Sequence, residues 1–334
     1  MPPASDADRP SSDFSSRNLV LVADTGGTKT AAWLVDLAAG GSHCVLGEAR
    51  TSAGNPLSVG FEKATQAIHD ALSQAKQSAL LGEQRVAQAI LSIAGAANRD
   101  MTQRFIAWAQ KVSFAHRVAI VSDVLPILAA GTPDCCGVAL IAGTGSSAFG
   151  RAQGGAIKRC GGWGYLLGDE GSGYALGRAA LQLALRSLEA RDLSDNLAAA
   201  VIEKHSVKTV TELTRAIYGS GDPRHAIAAL APLVCAAADD HNSHAIEFLN
   251  RAATDLAELA ARAARAVDVA DSGFPLAISG GLLIGCVALQ ELLRSELIRR
   301  GLNCEINVVR EPLVGCVRLA DPKFASLVNW HDCI

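Results

Sequence analysis

The stretch VLVADTGGTKTAAWLVD, residues 20–36, decides the fold. Two apolar runs of strand-like composition flank a tight turn, a pattern that predicts a β-hairpin. Gly26 and Gly27 permit positive φ angles and carry no side chain, so a phosphate could approach the backbone closely there. Thr28 adds a hydroxyl group and Lys29 a positive charge. Taken alone, the turn is equally typical of an ordinary Gly-Gly hairpin.

Asp24 ends the first apolar run, where its carboxylate could hold a hydrated metal ion. Magnesium keeps much of its water in proteins and binds a few carboxylates together with phosphates. The motif GxxxxGK(S/T) does not occur in this stretch, and a strand rather than a helix follows the turn. The hairpin is therefore predicted to be a phosphate loop of another kind. A turn aspartate without a ligand is the alternative for Asp24.

Length and composition indicate a two-domain α/β enzyme. The chain has 334 residues, of which 49% are hydrophobic and 19% charged, and its formal net charge is −3. Acidic and basic residues are mixed along the chain, so nucleic acid is not an expected partner. We predict a flexible tail at residues 1–17, an N-terminal domain at 18–132 and a C-terminal domain at 133–312. Residues 313–334 are predicted to hold a helix that packs back on the N-terminal domain.

The nine cysteines are scattered, with no CxxC motif and no cysteine–histidine cluster of zinc-binding spacing. Several of them lie in apolar runs, and residues 1–17 lack the apolar core of a targeting segment. This pattern predicts reduced, buried thiols in a cytoplasmic protein. No apolar run reaches the length needed to span a bilayer, so no membrane partner is expected.

Strands and helices alternate after the hairpin. Strands are predicted around residues 44–50, 89–94 and 117–121, and helices at 61–81 and 101–112. This order predicts a mixed sheet with at least one parallel pair, in which ligands collect at the carboxyl ends of strands. Asp24, Gly95 and Asp123 each follow a predicted strand and would therefore meet at one edge of the sheet.

The opening pattern returns at residues 138–150, which read VALIAGTGSSAFG. An apolar strand again leads into a turn of glycine, threonine and serine and then into a second strand. We interpret the two turns as a duplicated loop, one in each domain. Two such loops could hold a polyphosphate from both sides by their backbone N–H groups.

The second half adds two glycine-rich segments. The first reads GGWGYLLGDEGS at residues 161–172, and the second is Gly280–Gly281 after a predicted strand at 275–279. Helices are predicted from residue 173 onward, with a long amphipathic helix at 245–269 and a single helix at 283–300. A last strand at 305–309 and a closing helix at 315–320 complete the prediction.

This ordered set of motifs resembles the N-acetylglucosamine kinase branch of the BadF/BadG/BcrA/BcrD ATPase family, within the sugar kinase/Hsp70/actin superfamily. The resemblance covers about residues 18–320. It implies a two-domain, actin-like α/β fold of the ribonuclease H type, with a mixed sheet flanked by helices in each domain and the active site in the interdomain cleft. It also implies ATP and Mg²⁺ as cofactors, a hexosamine as substrate, a homodimer as a possible assembly, and N-acetylglucosamine 6-phosphate as the product.

The same resemblance assigns roles to residues. Asp123 takes the place of the catalytic base, and Asp24 that of the metal ligand. The residues implied to bind ATP are Gly26, Gly27, Thr28, Lys29, Gly143, Thr144, Gly145, Ser146, Gly280 and Gly281. The residues implied to bind the sugar are Asn55, Asp123, Gly161, Gly162, Trp163 and Asp169.

Two departures and several alternatives accompany these assignments. Thr25 stands where a glycine is more usual, and Ala96–Ala97 replaces a more polar pair that can touch the acyl group of the sugar. Asp123 could instead cap a following helix, and Asp169 could simply favour the N-terminal dipole of one. Trp163 could stack on the sugar or only pack its loop. Lys29 could be a solvated turn residue.

Three other functions remain open. Glucosamine or another hexosamine could be the substrate. An iron–sulfur activator ATPase of the same superfamily would need a cluster held by cysteines in glycine-containing loops. Cys160 lies beside Gly161, but no second loop cysteine with suitable spacing is evident. A non-catalytic sugar sensor would bind without phosphorylating. Residues 1–17 are too short and too acidic for a helix-turn-helix, and Asp123 is present, so the enzyme is favoured.

Overall fold

The structure is a computed structural model that describes residues 17–38, 42–95 and 98–333. The chain forms two compact units, Met1–Ala130 with Glu311–Ile334, and Gly131–Arg310. Residues 1–16 of the predicted tail and the Ala96–Ala97 pair lie outside the described residues.

The first unit is built on a mixed sheet. Its strands are β1 (Leu19–Thr25), β2 (Thr30–Leu37), β3 (His43–Thr51), β4 (Val86–Ile93) and β5 (Ala115–Ser122). The order across the sheet is β3-β2-β1-β4-β5, with β2 antiparallel to β1 and β3, and β4 and β5 parallel to β1. The predicted hairpin and its third strand are confirmed.

Helices cover this sheet. They are α1 (Pro56–Val59), α2 (Phe61–Ser78), α3 (Arg99–Val112) and α4 (Val124–Gly131). The apolar stripe of α2 packs on the hairpin, where Ile68 and Leu72 are buried with Leu21 and Leu34. Asn55 begins α1 as its N-cap, with Pro56 in the first helical position. The short helix α1 was not predicted, since four residues are too few to show a helical period.

The second unit repeats the topology of the first. Its strands are β6 (Gly137–Ala142), β7 (Ser146–Arg151), β8 (Lys158–Gly161), β9 (Phe274–Ser279) and β10 (Cys304–Val308). They lie in the order β8-β7-β6-β9-β10, and the directions match those of the first sheet strand for strand. The two glycine turns therefore occupy equivalent places, each between the first two strands of its sheet.

Helices form the rest of the second unit. They are α5 (Gly173–Ala190), α6 (Asn196–His205), α7 (Val210–Tyr218), α8 (Pro223–Ala228), α9 (Ala231–Asp239), α10 (Ser243–Arg265), α11 (Gly281–Gly285) and α12 (Val287–Arg299). The prediction of one helix at 283–300 is wrong. Cys286 is extended, with φ −117° and ψ 94°, and separates α11 from α12. The apolar period continues across the break because both helices bury leucines in the same core.

The end of the chain belongs to the first unit. Helix α13 (Leu313–Leu319) packs on β1, where the Cys316 thiol lies 3.9 Å from the carbonyl oxygen of Ala23. A 3₁₀ helix (Pro322–Leu327) follows, and β11 (His331–Asp332) then pairs antiparallel with β5. The sequence did not predict β11, which has only two residues. Among the helices of the described ranges, none is both long and apolar enough to cross a membrane.

Candidate functional site

The first hairpin turn is tight and open to solvent. The N–H of Gly26 donates to the carbonyl of Lys29 at 2.9 Å, and Gly27, Thr28 and Lys29 are exposed. A Cβ placed on Gly27 would have no atom within 4 Å. A ligand can therefore reach this backbone directly.

Thr25 and Thr30 close the base of the hairpin. They face each other across β1 and β2, and both side chains are fully buried. Within the part of the chain that the structure describes, neither hydroxyl oxygen has a hydrogen-bond partner. Thr25, which departs from the expected glycine, is accommodated because its side chain turns inward.

The loop that carries Asn55 is held against this hairpin. The carbonyl of Gly26 accepts from the N–H groups of Gly54 at 3.2 Å and Asn55 at 3.1 Å. A Cβ on Gly54 would lie 2.4 Å from Cγ2 of Thr25, so only glycine permits this approach. Asn55 Oδ1 accepts from the N–H of Leu57 at 3.0 Å. Asn55, which is predicted to bind the sugar, is thus held by its backbone against the predicted phosphate loop. Its side-chain oxygen caps α1, and its side-chain NH₂ group is not used in that cap.

Carboxylates gather at the carboxyl ends of β1 and β5. Asp24 lies opposite Ser92 of β4 and accepts a hydrogen bond of 2.7 Å from its hydroxyl group. Burial raises the pKa of Asp24 to about 6, the Ser92 hydrogen bond opposes this rise, and the charges of Asp123 and Glu311 add to it. The predicted meeting of the strand ends that lead to Asp24 and Asp123 is confirmed, since β1, β4 and β5 are parallel neighbours.

Glu311 was missed by the sequence analysis. It follows β10 in the chain but belongs to the first unit, where Arg50 approaches it at 3.6 Å. No motif marks it, because the contact depends on the return of the chain to the first sheet.

Asp24 could bind a magnesium ion only if water and the phosphates of a substrate supplied the other oxygen ligands. In residues 17–38, 42–95 and 98–333, no three histidine, cysteine, aspartate or glutamate side chains are placed to hold a metal between them. Ser92 occupies Oδ1 of Asp24. Magnesium commonly takes one or two carboxylates, several waters and substrate phosphates, and this donor set is compatible with that arrangement.

The second glycine turn is tied to the helix that follows the glycine-rich segment. Within the turn, the N–H of Gly143 donates to the carbonyl of Gly145 at 2.9 Å. The carbonyls of Gly143 and Thr144 accept from the N–H groups of Gly173 at 2.7 Å and Tyr174 at 3.1 Å. The first turn of α5 therefore fixes the conformation of this loop.

Gly280 and Gly281 lie beside the same loop. Gly280 has φ 96°, and a Cβ on it would lie 2.3 Å from the carbonyl oxygen of Ala142. A Cβ on Gly143 would lie 3.5 Å from the backbone nitrogen of Gly281. Because β6 and β9 are parallel neighbours, the two glycine turns that follow them meet at one sheet edge.

Asp169 reaches this edge from the glycine-rich segment. Its side chain is 4% exposed, and its backbone is left-handed, with φ 61°. Oδ1 accepts from the N–H of Ser146 at 3.3 Å, and Oδ2 pairs with Nη2 of Arg224 at 3.1 Å. Arg224 was missed by the sequence analysis, since it lies 55 positions along the chain without a motif.

Trp163 lies on the outer part of the glycine-rich segment. Gly161 and Gly162, which precede it, both have positive φ angles near 68°. The indole is 58% exposed and lies under the guanidinium group of Arg262, 5.4 Å from its central carbon. Gly168 packs against the tryptophan, since a Cβ placed on Gly168 would lie 3.5 Å from both Cβ and the ring atom Cε3 of Trp163. The ring is thus packed on one side and accessible on another.

Comparison with known proteins follows the same motifs. A sequence profile of the BadF/BadG/BcrA/BcrD ATPase family matches residues 23–320. The chain belongs to this family. The matched segment includes Asp24, Asn55, Asp123 and both glycine turns.

Curated relatives of this family member are sugar kinases by name. An N-acetyl-D-glucosamine kinase from Dictyostelium discoideum is 27% identical over 321 residues, covering 91% of this chain and 98% of the relative. An N-acetylmuramic acid/N-acetylglucosamine kinase from Clostridium acetobutylicum is 34% identical over 125 residues. That second match covers 37% of this chain and spans 41% of the relative's length.

A solved structure supports the same grouping. A Chromobacterium violaceum protein, provisionally described as an N-acetylglucosamine kinase, is 29% identical and superimposes with a TM-score of 0.71. The match covers 91% of this chain and 99% of that protein. Together with the two mixed sheets flanked by helices, it confirms the predicted α/β fold class of actin-like sugar kinases.

Proposed function

We propose that this protein is an ATP-dependent sugar kinase that transfers the γ-phosphoryl group of ATP to the 6-hydroxyl of N-acetylglucosamine. The observation that carries the proposal is the hydrogen bonding of the Asn55 loop to the Gly26–Gly27 turn, at the sheet edge where the parallel strands that lead to Asp24 and Asp123 end. The names of the two curated relatives support the choice of sugar.

In the first unit, we assign the chemistry to Asp123. Phosphoryl transfer to a hydroxyl group needs positioning, neutralisation of charge and a carboxylate that accepts the hydroxyl proton. We assign the amide of Asn55 to orienting the sugar, and Gly26, Gly27, Thr28 and Lys29 to contacts with the phosphates.

We assign Asp24 to Mg²⁺, held through water. The ion would neutralise phosphate charge when ATP is bound. The hydrogen bond from Ser92 restricts the orientation of the Asp24 carboxylate, and so would fix the side that faces the ion.

In the second unit, we assign Gly143, Thr144, Gly145 and Ser146 to the phosphates and Gly280–Gly281 to the adenosine group. The lack of a side chain at Gly280 and Gly281 would let the nucleoside lie against the backbone. We further propose Gly161, Gly162, Trp163 and Asp169 as sugar contacts. We place the protein in the cytoplasm, with a homodimer as one possible assembly.

A panel of sugars tests the proposal. Release of ADP is measured with N-acetylglucosamine, N-acetylmuramic acid, glucosamine, N-acetylmannosamine and glucose, and the product is identified by phosphorus NMR. We expect the highest kcat/KM with N-acetylglucosamine and a phosphate on its 6-oxygen. Turnover that is independent of sugar, or a clear preference for glucosamine, would contradict the proposed substrate.

Family membership alone does not exclude an iron–sulfur activator, so that alternative needs its own measurement. Purified, anaerobic protein is expected to lack the broad absorption band at roughly 400 nm that such clusters give. A band of that kind, together with sugar-independent ATP hydrolysis, would favour the activator. Sugar binding without any turnover would favour a sensor.

A further inference from the structure

Arg224 lies beside the second glycine turn, and the proposed function gives it no role. It stands in the first turn of α8, and its Nη2 is 3.1 Å from Oδ2 of Asp169. Its side chain is 40% exposed, but its Nε is buried and has no acceptor among the residues that the structure describes. The central carbon of its guanidinium group lies 5.6 Å from the ring of Tyr165. The group is therefore held in place without being sealed from solvent.

Asp169 connects this arginine to the loop. One carboxylate oxygen accepts from the backbone N–H of Ser146, and the other accepts from Arg224. The carboxylate is almost fully buried, so both hydrogen bonds are protected from competing water. This charge-assisted contact holds the Nη2 end of the guanidinium group beside the loop.

Gly145 explains how closely the arginine approaches the loop. A Cβ at this position would lie 2.7 Å from Oδ2 of Asp169 and 3.0 Å from Nη2 of Arg224. The ion pair thus occupies the space that any side chain at residue 145 would fill. Consequently, the guanidinium group lies against the backbone of the loop that is proposed to bind phosphate.

We infer that Arg224 is a phosphate-binding residue, held by Asp169 so that its remaining N–H groups face a phosphate oxygen of the nucleotide. A guanidinium group has five N–H donors, and its planar arrangement suits phosphate oxygens. Asp169 takes one donor in this structure, and the 40% exposure of the side chain leaves other N–H groups open to a ligand. The ligand class is the polyphosphate of a nucleoside triphosphate or diphosphate. This inference rests on the proposed function.

Binding measurements on the full chain test the inference. Dissociation constants for ATP, ADP and adenosine are measured calorimetrically for wild type, Arg224→Ala, Arg224→Lys and Arg215→Ala. Arg215 is an exposed arginine of the same unit and serves as the matched control. We expect Arg224→Ala to weaken ATP binding by about tenfold or more, the usual loss for a hydrogen bond to a charged group. Adenosine binding should not change, and Arg224→Lys should recover part of the ATP affinity.

Several results would overturn the inference. Unchanged ATP affinity in Arg224→Ala would show that the arginine does not contact phosphate. Equal losses for ATP and adenosine, with a lower melting temperature and no recovery in Arg224→Lys, would show that the ion pair only supports the loop. Wild type that fails to bind ATP would overturn the proposed kinase function as well, so the two failures are distinguishable.

Discussion

Asp24 is a residue whose placement costs stability. Its pKa is about 6 in the folded protein, against 3.8 for an ordinary aspartate, because burial disfavours its charge. The folded state therefore holds this proton more tightly than the unfolded state, and the free energy of unfolding falls as pH rises from about 4 to about 6. We predict that Asp24→Asn raises the free energy of unfolding at pH 7.5 by on the order of 2 kcal/mol. The gain should disappear at pH 4.

Denaturant titrations of the metal-free, nucleotide-free protein at both pH values measure this difference. Asp271 is an exposed aspartate of the second unit, so Asp271→Asn is a suitable control and should change little at either pH. If Asp24→Asn were no more stable than wild type at pH 7.5, burial of the charged Asp24 carboxylate would not destabilise the folded protein.

At the scale of elements, the hairpin and the Asn55 loop act as one assembly. A Cβ on Gly54 would lie within 2.5 Å of two threonine side-chain atoms, whereas one on Gly27 would contact nothing. We predict that Gly54→Ala lowers the free energy of unfolding by about 1–3 kcal/mol, the usual cost of overpacking.

Gly27→Ala should keep the stability of wild type but weaken ATP binding, because its methyl group would stand where phosphate is proposed to approach. Thermal unfolding and nucleotide titration measure the two effects separately, and a stable Gly54→Ala variant would argue against the tight junction.

Elements with a clear local signal could be predicted from the sequence. The hairpins of residues 19–37 and 137–151 are marked by apolar runs around glycine turns, and the structure has both. The break at Cys286 is marked in the sequence only by Gly285, and an isolated glycine is a weak signal because helices tolerate one at a cost of about 1 kcal/mol. The N-cap role of Asn55 was equally hidden, since the helix that it begins has four residues.

At the scale of the whole molecule, the chain leaves the first unit near residue 130 and returns to it near residue 311. Gly315 of α13 packs so closely on α4 that a Cβ there would lie 1.8 Å from the carbonyl oxygen of Pro126. We predict that truncation after Arg310 unfolds or aggregates the first unit, because it exposes the apolar residues of β1 and α4 that α13 covers. Truncation after Val328, which removes β11 but keeps α13, should lower the melting temperature only modestly. If the chain truncated after Arg310 were soluble and unfolded cooperatively, that result would contradict this role of the C-terminal segment.

Because the chain returns to the first unit only near residue 311, some residues of the candidate site could not be predicted from the sequence. The positions of Asp24, Asp123 and the two glycine turns at strand ends could be predicted, because each strand is recognisable in the sequence, and their functional roles stay proposals. Glu311 and Arg224 could not, because each reaches its site through contacts between segments far apart in the chain. Their positions depend on tertiary packing, which leaves no local pattern around either residue.

The most direct test of the kinase proposal compares Asp123→Asn with wild type in the coupled assay for ADP release, using saturating ATP and N-acetylglucosamine. If Asp123 accepts the hydroxyl proton, kcat should fall by about a thousandfold or more, since asparagine cannot act as a base. Calorimetric binding of sugar and of ATP should be retained, which separates a loss of chemistry from a loss of folding. A variant that turns over at the wild-type rate would contradict the assignment of Asp123 as the base, and wild type without sugar-dependent release of ADP would contradict the kinase proposal itself.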